Sequence, residues 1–496
     1  MRSTFMGLET AKKGMYSQQS AIYVTGHNIA NKNTPGYSRQ RVNFEQTTPY
    51  PAASMNRPQI PGQLGTGVQE GSIQRIRDTF IDGQYRGEKN QLGFYESMSN
   101  SIKQMEDIMN EPSDNGLSAA MVQFWQSLED LSTNAENEGA RRVVLQRARS
   151  VAETFQYLHS SLTTVRNDIK KEMDLTVTKI NALAQDIASI NQQISEVEPH
   201  GYLPNDLYDE RDKLLDQLAT YLPISTETVP NGGNSLAIAE GGKKVYAMIN
   251  GEKTLLVDDQ GARSLEWKEE TGELFLGEKE LSYNTLGEGN GELSALFKAY
   301  KDDYPDMLEK LDQYAFTFAK VFNEVHKSGS DLNGDTGEAF FDVGGDTYEG
   351  AASTIHVLLK DPDKVAAALA GKESGNGENA LRLADLKNWV IRDGSMEELP
   401  VLTDLDIKSG TLQSFYEGVI GEMAVKGQQA NRMEYNTNVL LQSIDKNRRS
   451  VSEVSLDEEF SNLIQFQHAY SASARMISAI DEMLDKIING MGMVGR

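Results

Sequence analysis

From Leu463 to the C-terminus, apolar side chains recur at alternating steps of three and four. They are Leu463, Phe466, Tyr470, Ile477, Ile480, Leu484 and Ile487, interrupted at Ser473. A second seam, running Leu456, Phe460, Leu463, Gln467, Tyr470, Ala474 and Ile477, overlaps the first. The two together predict an amphipathic helix over Leu456–Ile488, roughly 50 Å long at ~1.5 Å per residue. Asp457, Glu458 and Glu459 sit in its first turn, where carboxylates suit the positive end of the helix dipole, and Asn489-Gly490 supplies a stop. Burying one apolar stripe offsets only part of the entropy lost in ordering so long a segment. The helix therefore needs a partner, either elsewhere in the chain or on a neighbouring copy.

The first candidate for that partner is residues 3–30, where Phe5, Leu8, Met15, Ile22 and Ile29 share one helical face. Lys12, Gln19 and Gly26 interrupt the stripe, so this helix is the weaker of the two. Residues 45–72 are rich in Pro and Gly and read as an extended segment, with a strand at Val68–Arg75. Helical patterning resumes over Asp78–Met109, breaks at Pro112 and Gly116, and returns over Leu117–Leu131. The longest pattern runs from Gly139 to Glu198 and ends at Pro199-His200-Gly201. The helix Asp206–Tyr221 follows.

From Ile224 to about 290 the chain alternates short β-type runs with turn dipeptides, among them Thr271-Gly272. Asn250-Gly251 between Val245–Ile249 and Lys253–Val257 is a strong hairpin signal. Helix returns over 293–327, kinked or split at Pro305. Residues 330–410 are mixed, with a short helix begun at Pro362 and ended at Gly371, then an exposed acidic loop Glu373–Glu378. Thr411–Asp445 is helical, and a turn through Val451–Ser455 leads to the last helix. The fold class expected is α+β and multidomain. An elongated helical bundle forms from the N- and C-terminal helices, with an inserted antiparallel β-rich domain. The expected divisions are an N-terminal assembly segment (1–75), a helical bundle (76–222 and 411–450), an inserted region with a central helix (223–410) and a C-terminal coiled-coil segment (451–496).

Two stretches carry a resemblance. The run Asn28-Ile29-Ala30-Asn31-Lys32-Asn33-Thr34-Pro35-Gly36-Tyr37-Ser38-Arg39-Gln40 contains a turn in which Pro presets φ and Gly takes the positive-φ place of a type II turn. This run resembles the N-terminal signature of the bacterial flagellar axial proteins, those of rod, hook and hook–filament junction. Tyr37-Ser38-Arg39-Gln40 with Val42 and Phe44 is similar to the hook-associated branch. So is the ending, Ser452-Glu453-Val454-Ser455-Leu456-Asp457-Glu458-Glu459 followed by Leu463-Ile464-Gln465-Phe466-Gln467, Ala469-Tyr470 and Ala472-Ser473-Ala474-Arg475.

The resemblance implies a structural subunit joining hook to filament, assembling through its paired terminal helices. The assembly residues it implies are Phe5, Leu8, Met15, Ile22, Asn28–Ala30, Asn31 and Asn33–Tyr37 at one end. At the other they are Leu456, Phe460, Leu463, Phe466, Tyr470, Ile477, Ile480, Leu484 and Ile487. Its implied partners are copies of itself in an axial ring, hook protein, the adjacent hook-associated junction protein and an export chaperone on the C-terminal helix. The implied location is extracellular, reached through the flagellar secretion apparatus without a cleaved signal peptide. A hook or rod protein, or an axial scaffold carrying a cell-wall hydrolase, is the alternative.

Composition narrows the chemistry. The net charge of −25 disfavours nucleic acid and anionic membranes as partners. The charge is uneven, because residues 1–90 hold eleven Lys and Arg against six Asp and Glu. The absence of Cys excludes disulfides, zinc–thiolate sites and thiol catalysis. The longest purely apolar run, Val365–Ala370, is far short of the ~18 residues a spanning helix needs, so no membrane insertion is expected. Neither the histidines (His27, His159, His200, His326, His356, His468) nor the carboxylates form a catalytic or metal-binding spacing, and no cofactor is expected. Asp331-Leu332-Asn333-Gly334-Asp335 resembles the start of a calcium loop. Thr336 and Asp342 stand where such a loop has Gly and Glu, which favours an acidic turn.

Overall fold

The structure is a computed structural model that describes residues 5–52, 54–55, 57–58, 62–268, 273–403 and 405–490. The turn expected at Thr271-Gly272 lies outside these. The chain opens with helix α1 (Phe5–Ala30), strands β1 (Gln40–Gln46) and β2 (Val68–Arg75), and helices α2 (Thr79–Met109), α3 (Leu117–Thr133), α4 (Glu138–Val197) and α5 (Asn205–Tyr221). Strands β3 (Ile224–Val229), β4 (Gly242–Ile249), β5 (Glu252–Asp258), β6 (Gly261–Ala262), β7 (Leu265–Lys268), β8 (Glu273–Leu276) and β9 (Lys279–Leu281) follow. The second half contains α6 (Tyr283–Leu286), α7 (Gly291–Lys298), α8 (Tyr304–Lys327), α9 (Ala351–Thr354), α10 (Glu378–Asp385), α11 (Leu412–Ser452) and α12 (Leu456–Gly490). The fold is α+β and multidomain.

Two compact units divide the chain. One gathers residues 1–90, 179–280 and 437–496, and the other residues 91–178 and 281–436. The first unit therefore holds both chain ends and the strands β1–β8. Its larger sheet is a meander in the order β3-β4-β5-β6, antiparallel throughout. The β4–β5 hairpin turns at Asn250-Gly251, both with positive φ (54° and 73°), the combination a type I′ turn requires. The second unit is built on aromatic packing. Phe124, Phe318, Phe322 and Phe341 lie ring to ring at centroid distances of 5.0–6.1 Å, and all four are buried.

The break expected at Pro305 is a π-turn over Ala299–Asp303, closed by an ion pair between Lys298 and Asp303 at 2.7 Å, after which α8 resumes. The helix expected from Pro362 to Gly371 is not formed. Pro362–Lys364 is a single 3₁₀ turn, and Val365–Ala368 runs extended and buried. Side chains satisfy the polar groups of that extended backbone. Arg141 Nη1 donates to the Val365 carbonyl (2.6 Å), Asn379 Nδ2 to the Ala366 carbonyl (2.7 Å), and the Ala366 N–H donates to His326 Nε2 (2.9 Å). His326 is held as the neutral tautomer with Nδ1 toward the Glu338 carbonyl, and burial lowers its pKa to about 4.

Candidate assembly site

The last helix finds its partner within the chain: α12 lies antiparallel along α1. A Cβ built on Gly7 would stand 3.2 Å from Ile480 Cδ1, and one on Gly14 would stand 3.3 Å from Ser473 Oγ. Further along, Asn28 donates to Glu459. The α1 face turned to α12 follows the step 4-3-4-3 from Gly7: Ala11, Gly14, Gln18, Ala21, Thr25 and Asn28. Four of those seven positions are Gly or Ala, so the backbones approach closely and the large side chains of α12 cover them.

The expected α1 stripe therefore lies a quarter turn away. Leu8, Met15, Ile22 and Ile29 are half-buried on the flank, and Phe5 is exposed. On α12, Ile480 is buried, and Leu456, Leu463, Phe466, Tyr470, Ile477 and Leu484 are half-buried, while Phe460 and Ile487 are exposed. Phe466 closes a small core with Ala21, Val24, Val42 and Ile73, and meets Phe44 edge-on at 6.3 Å.

The loop after α1 is fixed by one amide. Buried Asn28 donates through Nδ2 to the Gln40 carbonyl (2.8 Å) and to Glu459 Oε2 (3.1 Å). Its Oδ1 accepts from Tyr37 OH (2.8 Å) and from the Gln40 N–H (3.0 Å). One side chain thus ties together the end of α1, the turn, the start of β1 and the first turn of α12. The turn is the expected type II, with Gly36 at φ 88° and the Tyr37 N–H donating to the Thr34 carbonyl at 3.2 Å. Thr34 Oγ1 reaches Asn31 Oδ1 (3.1 Å); Ala30, Asn33, Thr34, Pro35 and Gly36 are exposed, and Asn31 and Tyr37 half-buried.

Burial, and then the nearby carboxylates Asp206, Asp209 and Glu459, push the Tyr37 phenol well above its usual range and keep it a donor. Burial also lifts Glu459 above the ordinary glutamate range, against the opposing pull of Asn28 and Arg39. Arg39 pairs with Glu458, and its N–H donates to the Ser452 carbonyl (2.9 Å), which holds the turn into α12.

Behind this corner lies a charge cluster that the sequence reading missed. Ser38 donates its N–H and hydroxyl to the two oxygens of Asp209 (2.8 and 2.6 Å). Asp209 also takes Arg75 Nη1 at 2.8 Å. Asp212 is contacted by Arg75, Arg86 and Lys243 at 2.5–3.0 Å, and Asp216 by Arg86 and Arg448 at 2.7 and 2.6 Å. Burial alone would raise the Asp212 carboxyl, but Arg77, Lys243, Arg75 and Arg86 outweigh it and hold the pKa well below the usual value. A signal existed. Asp209, Asp212 and Asp216 fall on one face of α5, and Arg75 ends β2 with Arg77 two residues further on.

The loop at Asp331 has its carboxylate turned onto its own backbone, accepting from the N–H groups of Asn333 (2.8 Å) and Asp335 (2.9 Å). Among the described residues, no group of three or more metal-ligating side chains is brought together.

Three family models match this chain: "Flagella basal body rod protein" over residues 8–37, "Flagellar hook-associated protein FlgK helical domain" over 102–341, and "Flagellar basal body rod FlgEFG protein C-terminal" over 450–490. Flagellar hook-associated protein 1 of Bacillus subtilis (strain 168) is 41% identical over 521 residues, covering 100% of each chain. The chain belongs to the flagellar hook-associated protein 1 family.

The relative named flagellar hook-associated protein 1 in Escherichia coli (strain K12) is 25% identical over 97% of this chain and 99% of its own. The solved flagellar hook junction protein FlgK of Burkholderia pseudomallei shares the fold, with a TM-score of 0.61 at 14% identity over 75% of this chain and 100% of that one. Membership makes the chain a structural protein of the flagellum and not an enzyme. The α1–α12 seam falls in the two terminal matches that it shares with rod proteins, and the 102–341 match sets the family apart from them. Among the described residues, no helix is long and apolar enough to cross a membrane.

Proposed function

We propose that this chain is the subunit that joins hook to filament, and that the α1–α12 pair is the element through which copies assemble. The observation that carries this is the corner at Asn28. It locks the two chain ends into one antiparallel unit while leaving Tyr16, Tyr23, Phe460, Ile464, Met476 and Met483 exposed along the pair. A lone soluble helix pair has no use for so many exposed apolar side chains, whereas a subunit in a ring buries them against its neighbours.

On this reading residues 1–75 and 451–496 are the axial segments, 76–222 and 411–450 the helical body, and 223–410 the outward-facing insert. The neighbours are copies of the same chain, hook protein on one side and the adjacent hook-associated junction protein on the other. Before assembly an export chaperone covers the α12 face, and the chain leaves through the flagellar secretion apparatus. The test is deletion and complementation. Cells lacking the chain should build hooks but shed filament subunits into the medium, and the full-length chain should restore attached filaments. Filaments of normal length on deleted cells would overturn the reading.

A further inference from the structure

The side of α1 turned away from α12 carries its own pattern. Phe5, Glu9, Lys12, Tyr16, Gln19 and Tyr23 fall on one stripe, and every one of them is exposed, Tyr16 at 51% and Tyr23 at 75%. Lys12 lies over the Tyr16 ring, 5.8 Å from its centroid. Two exposed tyrosines beside a cation make a surface suited to an apolar recess with an acidic mouth.

The same unit holds such a recess. A groove of about 540 Å3 opens between α1, β1 and the first turns of α12. Its floor is Ala21, Val24, Val42 and Phe466, and the exposed carboxylate of Asp457 stands at its mouth. Arg39 and Glu458 also line the mouth but pair with each other, and Arg41 is exposed beside them.

We propose that this groove receives the Lys12–Tyr16–Tyr23 stripe of a second copy, with Lys12 and Lys13 drawn to Asp457. The inference rests on the assembly reading above and specifies the surfaces that meet. Three observations favour this occupant. Lys12 on the stripe and the exposed Asp457 at the mouth carry opposite charges. The groove continues the α1–α12 seam, so a docked helix would extend packing that already exists. Stripe and groove are different patches, so the contact is heterologous and adds copies head to tail, as a ring or helical array requires.

The contact cannot form within one chain. The pairs Gly7 with Ile480, Gly14 with Ser473, and Asn28 with Glu459 fix an antiparallel register that places Tyr16 about ten residues from the level of Ser461, or roughly 15 Å along the pair at ~1.5 Å per residue.

The chain has no native cysteine, so crosslinking is clean. Full-length chain carrying Tyr16→Cys and Ser461→Cys, expressed in cells lacking the wild type, should form covalent multimers when isolated flagella are mildly oxidised. Each single variant should stay monomeric. A double variant that incorporates normally yet stays monomeric overturns the proposal. If that variant fails to incorporate, charge reversal decides. Lys12→Glu with Lys13→Glu should lower incorporation about tenfold, and adding Asp457→Lys should recover most of it. No recovery overturns the proposal. Neither negative result touches the junction reading, which fails separately if the wild-type chain does not restore filament retention.

Discussion

At the scale of single residues, Asn28 shows how one amide can define a corner. Its amide makes four hydrogen bonds, two as donor and two as acceptor, to groups from three other segments of the chain. Asn28→Ala would leave Tyr37 OH, the Gln40 N–H and C=O, and the buried Glu459 short of partners. A loss of about 2–3 kcal/mol is expected, since each buried orphan costs ~1–3 kcal/mol and some will find water. Urea unfolding followed at the first unit measures it, and a loss under ~0.5 kcal/mol would mean that the amide is replaceable.

Asp212 is the residue-scale test of the charge cluster. Asp212→Asn strands cations packed around a nearly inaccessible site and should destabilise by about 3–5 kcal/mol at neutral pH. Its folded pKa lies well below the unfolded 3.8. The carboxylate therefore stabilises the fold above pH 3.8, and that contribution is lost as pH falls through the folded value. Melting curves of wild type and variant should lie far apart at pH 7 and converge in strong acid. A gap that is constant with pH would show that the variant acts by shape and not by charge.

At the scale of elements, the α1–α12 pair and the second unit differ in how they are held. The pair buries small side chains along α1 and little beyond Ile480 along α12. The second unit stacks buried phenylalanines. Opening free energy scales with such burial, so the pair is the low-stability end of the molecule. Limited proteolysis of the purified monomer should trim residues 1 to about 45 and the last ~35 first, leaving a core of roughly residues 70–450. Termini that resist protease as long as the aromatic core does would contradict this.

At the scale of the whole molecule, assembly should fail when the seam is charged. Tyr470→Asp or Ile477→Asp places a carboxylate against α1, where it must stay desolvated or become protonated. Because a ring repeats the seam in every subunit, the penalty recurs around it. Such variants should keep the second unit folded by circular dichroism, yet fail to enter the hook tip. Glu453→Ala, exposed in the turn before α12, should incorporate as wild type does.

Much of this was legible in the residues. The 3.5-residue repeat fixed α12 to within two residues, Asn250-Gly251 fixed its hairpin, and Pro35-Gly36 fixed the type II turn, because each depends on local sterics and periodicity alone. What tertiary structure decided was which surfaces meet. The face of α1 that pairs is the one lined with Gly and Ala. Close approach rewards the absence of side chains, and a search for large apolar residues is blind to that. Arg141, His326 and Asn379 hold Val365–Ala368 extended where its composition favours helix, since only the fold brings those partners to that backbone. The aspartates of α5 share one face in the sequence, and only the fold brings the arginines of β2, α2 and α11 to them. A shared face shows that such charges are gathered, but which of them pair across such sequence distance is decided by packing.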